Sequence, residues 1–203
     1  MFDIISVGYL SIDSIFLPYK PKPFVVLGGS VAYVSLAARR LDSSVSVVSK
    51  VGGDFPDDYI RWLRREGVDL SWVAKVKGAR TTRFELKYSS DLSNRNLRLK
   101  SRAPLITVDD LPKSLKARAV HIGPIAGEIN YEVAEKLRNC AYVLSFDPQG
   151  LVRNFDGKGN ITHDAVIDKR VLELINIYKS SLDEIKALTK LSKLSSAIKA
   201  VHD

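Results

Sequence analysis

The chain has 203 residues, 45% of them hydrophobic and 27% charged, with 31 Lys and Arg against 23 Asp and Glu for a formal net charge of +8. That length and apolar content suffice for one large buried core and give no reason to expect a disordered chain. The single cysteine, Cys140, excludes an internal disulfide and a metal site built on several thiolates, and the longest apolar runs, 24–27 and 45–48, are too short to cross a bilayer.

The first predicted element is the β-branched run Ile4-Ile5-Ser6-Val7, a buried strand that ends at Gly8. Segments 12–17 and 24–27 are extended, because Pro18, Pro21 and Pro23 between them forbid a helix. Gly28-Gly29-Ser30 then opens a helix with Val31, Val34, Ala38 and Leu41 on one face. Val45–Val48 reads as the next strand, followed by a turn over residues 51–54 and an amphipathic helix through Tyr59, Ile60 and Leu63 that stops at Gly67. From 72 to 108 the pattern alternates as in an antiparallel sheet, with strands at 73–76, 81–88 and 97–99. Strand and helix alternation resumes with a strand over 119–123, a helix around 131–137 and a strand over 142–147. The remainder reads as helix, first over 171–178 and then through Leu182, Ile185, Leu188, Leu191, Leu194, Ile198 and Val201. Repeated strand-helix units require a mostly parallel sheet covered on both faces, with the β-rich detours forming a small satellite sheet.

The basic residues are dispersed. Only Arg95, Arg98, Lys100 and Arg102 cluster, and no aromatic side chains interleave with them as stacking platforms, so the cluster reads as a solvated face and no nucleic-acid partner is expected. The N-terminus lacks a basic flank and a cleavage site, which points to a cytoplasmic protein with no membrane partner. Sparse Gln and Met beside abundant Lys, Arg, Ile and Val is a bias expected of a thermophile. His121, His163 and His202 fall on a strand, in a loop and at the terminus, without ligand-like spacing. Gly28-Gly29-Ser30 is neither a nucleophile elbow nor a P-loop, since the flanking patterns of both are absent.

Ligands of open α/β sheets sit beyond the carboxyl ends of the strands. Four polar sites follow strands there: Asp13, Gly28-Gly29, Gly52-Gly53-Asp54 and Asp147-Pro148-Gln149-Gly150. A carboxylate accepts hydrogen bonds from vicinal hydroxyls, and a glycine pair lets backbone approach a polyol. Together they suit a sugar or ribose ring.

Several groups of residues carry a wider pattern. They are Gly8 with Asp13; Gly28-Gly29 with Ala32, Leu36-Ala37 and Leu41; Val51-Gly52-Gly53-Asp54-Phe55 with Leu63 and Gly67-Val68-Asp69; Thr81-Thr82-Arg83-Phe84; and Lys179 through Glu184. In these the chain resembles the ribokinase (PfkB) family of carbohydrate and nucleoside kinases over essentially its whole length. The resemblance implies a single ribokinase-like α/β domain over 1–203: a Rossmann-like, mostly parallel sheet flanked by helices, with a small antiparallel β lid drawn from about 10–27 and 72–108. It implies ATP-dependent phosphoryl transfer, with Mg2+, to a hydroxyl of a sugar, polyol or nucleoside, and a homodimer formed through the lid. Asp13, Gly28, Gly29, Tyr33 and Asp54 would contact the substrate, and Glu184 would help place the metal. Tyr33 stands where many members have Asn, which argues against the ribose-specific mode, and Ser181 stands where the family has the Asn of its Asn-x-x-Glu element. No Gly-Ala-Gly-Asp element occurs, so no catalytic base is assigned and the chain is expected to hold the substrate-binding half of such a kinase. The alternative is a non-catalytic sugar-binding or regulatory protein of the same descent.

Overall fold

The computed structural model describes residues 1–162 and 168–202, so His163 lies outside the described residues. In chain order the elements are β1 (Phe2–Val7), β2 (Ser11–Phe16), β3 (Phe24–Gly28), α1 (Ser30–Arg40), β4 (Val45–Gly52), α2 (Asp57–Arg65), β5 (Val68–Val76), β6 (Thr82–Tyr88) and β7 (Arg95–Ser101). They continue with β8 (Ala117–Ile122), α3 (Tyr131–Arg138), β9 (Ala141–Phe146), β10 (Asn154–Phe155), β11 (Ile161–Thr162), α4 (Arg170–Leu174), β12 (Ile177–Tyr178), α5 (Leu182–Thr189) and α6 (Leu194–His202).

Six strands form the main sheet in the order β12-β9-β8-β1-β4-β5, and every ladder in it is parallel. Parallel strands need helical crossovers, which cover both faces and leave the central strands apolar along their length. Ile5 and Val7 of β1 accordingly have no exposed surface. One core joins Val120, Ile122, Leu144 and Phe146 to Val133 and Leu137 of α3. The other joins Val47 and Val51 to Val31 of α1 and to Phe55 and Leu63 around α2. The face of α1 that packs is Val31, Ala32, Ser35 and Ala38. Leu41, expected on that face, is the C-cap and is 80% exposed, because the helix ends one residue before it.

A second sheet has the order β3-β2-β6-β7. Its outer ladders, β2 with β3 and β6 with β7, are antiparallel, while the central β2–β6 ladder is parallel. The inserted segment starts later than the alternating pattern suggests. Residues 72–76 stay in β5, in parallel register with β4, where Phe2 packs edge-on against Trp72.

Two helical expectations near the C-terminal end are corrected. The helix expected over 171–178 stops at Leu174, because Asn176 turns to exchange hydrogen bonds with the Leu144 backbone and aligns Ile177 and Tyr178 as a parallel strand on β9. The three-and-four spacing from Leu182 to Val201 is divided between α5 and α6 at Lys190, which adopts a left-handed C-cap conformation with φ 59°. The hairpin of β10 and β11, not anticipated, lies against β7. Among the described residues no helix is long and apolar enough to cross a membrane.

Candidate functional site

The carboxyl ends of β1, β8 and β9 open into a cleft of about 620 Å³ roofed by the second sheet. Asp13 reaches it from β2 and Gly29 from the start of α1, with Tyr33 one turn further along that helix. Gly29 has φ 98°, a left-handed value that suits glycine, and a Cβ there would overlap the Tyr9 carbonyl oxygen. Gly28 faces Ser11 across the β2–β3 ladder, and a Cβ on it would collide with the Asp13 carboxylate. Gly28 is therefore what lets the carboxylate pack against the helix entry.

The Asp13 carboxylate receives one hydrogen bond, from Ser11 Oγ at 2.8 Å, and burial raises its pKa against that hydrogen bond and the charge of Arg95. A carboxylate has about four acceptor positions. Asp13 thus faces the cleft with acceptor capacity left over for ligand hydroxyls. Tyr33 is 59% exposed and donates to the Leu27 carbonyl at 3.3 Å, and its pKa is raised by burial and then by the Asp13 charge. The cleft is amphipathic: Phe84 and Leu97 come down from the lid, while the floor carries His121, Asp147 and Lys179 at the strand ends. Each Asp147 oxygen has a partner, one accepting from the Gln149 amide at 3.1 Å and the other from Lys179 Nζ at 2.8 Å. Burial lowers the pKa of His121, whose Nδ1 lies 3.1 Å from Ser145 Oγ.

Asp54 is not part of this cleft. Its Oδ1 accepts from the amide and hydroxyl of Thr81, both at 2.7 Å, and its Oδ2 accepts from Arg83 at 3.0 Å. Both oxygens accept hydrogen bonds that fasten the turn after β4 to Thr81 and to Arg83 of β6, which gives Asp54 a structural role outside this cleft. Burial pushes its pKa up, but the Thr81 and Arg83 hydrogen bonds outweigh it and bring it to about 2. The folded value is below the ordinary 3.8, so the stability Asp54 contributes is present above that value and is lost as pH falls toward 2. Asp54→Asn is expected to lower the urea midpoint at pH 5 to 7 by an amount worth about 1 kcal/mol or less, given the 39% exposure of the side chain. The gap between the two proteins should close near pH 2; a gap independent of pH would contradict the role.

Glu184 lies elsewhere again, in a neighbouring cleft of about 540 Å³. It forms a capping box at the start of α5: its Oε2 accepts from the Ser181 amide at 2.7 Å, and the Glu184 amide donates to Ser181 Oγ at 3.2 Å. Ser181 in place of Asn is thus used as an N-cap, which Ser fills equally well. Glu184 Oε1 faces Arg153 at 3.7 Å. Among the described residues no three His, Cys, Asp or Glu side chains cluster to hold a metal. The donor set fits a Mg2+ ion that takes most of its ligands from phosphate oxygens and water and only one from the protein.

Sequence reasoning missed Arg95 and Arg153, which line both clefts. Arg153 follows Asp147, a residue already singled out, and Arg95 belongs to the basic cluster read as a solvated face. The available signal was the position of Arg153 just past a strand end.

The molecule is an open α/β sheet with a second sheet over a glycine-lined cleft in which Asp13 and Asp147 stand beside Arg95, Arg153 and Lys179. More specifically, the chain belongs to the pfkB family of carbohydrate kinases, whose profile matches residues 1–203. It is 26% identical over 149 residues to a cytidine kinase of Thermococcus kodakarensis, covering 73% of this chain and 52% of that protein. It is 31% identical over 173 residues to an inositol 3-kinase of Oryza sativa subsp. japonica, covering 78% and 42%. The chain therefore spans about half the length of the curated relatives it matches. A pyrophosphate-dependent kinase in the ribokinase family, solved as a sulfate complex, superposes with a TM-score of 0.83 at 27% identity, over 98% of this chain and 69% of that one. The same kind of kinase complexed with a pyrophosphate analogue and myo-inositol gives a TM-score of 0.82 at 26% identity, over 98% and 68%.

Proposed function

We propose that this chain binds the acceptor of a kinase that transfers a phosphoryl group from ATP to a hydroxyl of a polyol, sugar or nucleoside. The observation that carries the reading is Asp13, a half-buried carboxylate with one internal donor, held against the Gly28-Gly29 helix entry at the strand ends. Vicinal hydroxyls would donate to its free positions, with Gly28 and Gly29 permitting the ring to approach the backbone and Tyr33 closing one side. Arg95, Arg153 and Lys179 would receive the negative charge of the donor, because phosphoryl transfer depends on positioning and charge stabilisation more than on covalent chemistry. Mg2+, when bound to the donor, would neutralise charge on its phosphates, and Glu184, which lines the cleft bordered by Arg95 and Arg153, would be the carboxylate to help hold it. The exposed Phe24 and Val25 of β3, at 44% and 57%, suit a second copy packing on the lid.

A second reading concerns the donor. Two arginines and a lysine beside the acceptor cleft form a compact cationic group, which suits a short donor such as pyrophosphate, and both structural neighbours described above are pyrophosphate-dependent. The non-catalytic sugar-binding alternative predicts acceptor binding with no response to either donor.

Calorimetric titration of the chain with myo-inositol and with cytidine, each alone and with ATP·Mg2+ or pyrophosphate·Mg2+, separates these readings. Acceptor affinity that rises in the presence of one donor supports the kinase reading and selects that donor. No affinity for any polyol or nucleoside would sink it.

A further inference from the structure

Arg95 and Arg153 come from different layers of the molecule. Arg95 is the first residue of lid strand β7, and Arg153 leaves the core just beyond the carboxyl end of β9. Both nevertheless border the Asp13 cleft and the Glu184 cleft, so they stand where the two spaces meet. Among the described residues Arg95 forms no ion pair, and its side chain is held only by a long contact of 3.4 Å to the Tyr88 hydroxyl. Arg153 is 19% exposed and has one carboxylate, Glu184, at 3.7 Å. Burial lowers its pKa, Glu184 opposes that, the like charge of Arg95 lowers it further, and the Asp147 charge raises it again. Arg95, with no ion pair among the described residues, and Arg153, whose ion-pair partner stays 3.7 Å away, keep N–H forks that can bind an oxyanion from two sides.

Their separation is set by the β10–β11 hairpin. It begins on the residue after Arg153 and lies along β7, which begins at Arg95. The Leu99 amide donates to the Gly159 carbonyl at 2.8 Å, Arg98 Nε donates to the Lys158 carbonyl at 2.6 Å, and Arg98 pairs with Asn160 in an antiparallel bridge. The Phe155 ring packs 6.0 Å from Phe84 and has the Arg102 guanidinium 5.9 Å over its face. A Cβ at Gly159, where φ is 82°, would overlap the Leu99 carbonyl oxygen. Arg98 and Arg102 of the basic cluster thus fasten core to lid.

We propose that Arg95 and Arg153 form a two-guanidinium seat for the phosphoryl group between the two clefts, with the β10–β11 hairpin as the strap that fixes their spacing. The seat rests on the phosphoryl-transfer reading above and adds to it a lid-borne anion contact and the positioning element for it.

The test titrates the full chain with pyrophosphate, and separately with whichever of myo-inositol or cytidine it binds, in the wild type and in Arg95→Ala, Arg95→Lys and Gly159→Val. Melting temperature is followed throughout. Arg95→Ala is expected to weaken pyrophosphate binding roughly tenfold or more, the effect of losing a charge-assisted hydrogen bond, with Arg95→Lys restoring only part. Gly159→Val, in a hairpin that does not line the Asp13 cleft, should weaken pyrophosphate several-fold and leave polyol or nucleoside affinity unchanged. Pyrophosphate affinity indifferent to Arg95, or absent from the wild type, overturns the seat. Parallel loss of both ligands and of melting temperature in Gly159→Val overturns the strap as a positioning element. If anion binding depends on Arg95 but no polyol or nucleoside binds, the acceptor reading fails and the seat stands.

Discussion

Replacing Asp13 with Asn is expected to weaken polyol or nucleoside binding about a hundredfold, the loss of two charge-assisted hydrogen bonds worth roughly 1.5 kcal/mol each, while the melting temperature holds or rises. The two halves of that expectation have one cause. Asp13 sits in a partly desolvated position with a single internal donor, Ser11 Oγ at 2.8 Å, so its charged form is under-compensated until ligand hydroxyls arrive. The linkage sign follows from the raised folded pKa. A carboxyl whose pKa is raised on folding contributes stability below its unfolded value and loses it as pH rises through the folded one, so at neutral pH the ionised Asp13 costs stability that Asn avoids. Binding runs the other way, because only the ionised form offers its full acceptor capacity. Affinity should fall with falling pH, starting at a higher pH than for an ordinary aspartate, and that dependence should vanish in Asp13→Asn. Calorimetry between pH 4 and 8 with parallel thermal melts reads both. A variant that binds as well as the wild type would remove Asp13 from the site.

The second large effect is expected at Glu128, which is 1% exposed and lies under the cleft, not in it. Its carboxylate accepts from the Tyr9 amide at 2.9 Å, from the Ile125 amide with both oxygens at 3.0 Å, and from the Ala126 amide at 2.8 Å. Tyr9 in turn donates its hydroxyl to the carbonyls of Ala103 and Pro104, at 2.6 and 2.9 Å. One buried acid therefore joins the turn after β1, the loop after β8 and the exit from the lid. Glu128→Ala leaves three buried amides without acceptors and opens a void, and a loss of roughly 3–5 kcal/mol is expected. Glu128→Gln keeps one oxygen but turns an amide group toward amide donors, so it should recover less than half of that loss. Urea denaturation at pH 7 measures both. A destabilisation under about 1 kcal/mol in Glu128→Ala would mean that water or backbone rearrangement satisfies the amides as well as the carboxylate does.

Local pattern located most of the fold. The apolar runs at β1, β4 and β9, the glycine entry to α1 and the Gly67 stop after α2 are signals carried within a few residues. What misled was also local: the three-and-four spacing from Leu182 to Val201 continues through Lys190, whose left-handed turn ends α5, and the alternation at 73–76 is shared by a parallel edge strand and a lid strand alike. The glycine pair and Asp13 could be read as a ligand site from their order and spacing together, since each alone is also an ordinary turn or helix-entry residue. Asp54 carries the same local signature. It is committed to Thr81 and Arg83 because the turn after β4 meets the root of β6 only in the folded chain.

The sequence by itself determined the alternating α/β order, the glycine pair at the end of β3, and the family to which the chain belongs, since each depends on residue type and near-neighbour spacing, whereas Asp13, expected just after a strand, lies within β2. Only the tertiary structure decided that Arg95 and Arg153 meet, that Glu128 is buried among amides, and that the basic cluster fastens a hairpin to the lid. Those facts depend on residues far apart in the chain being packed together, up to 119 positions for the Tyr9–Glu128 hydrogen bond. Burial and charge pairing at that range are properties of packing, which neither composition nor periodicity encodes.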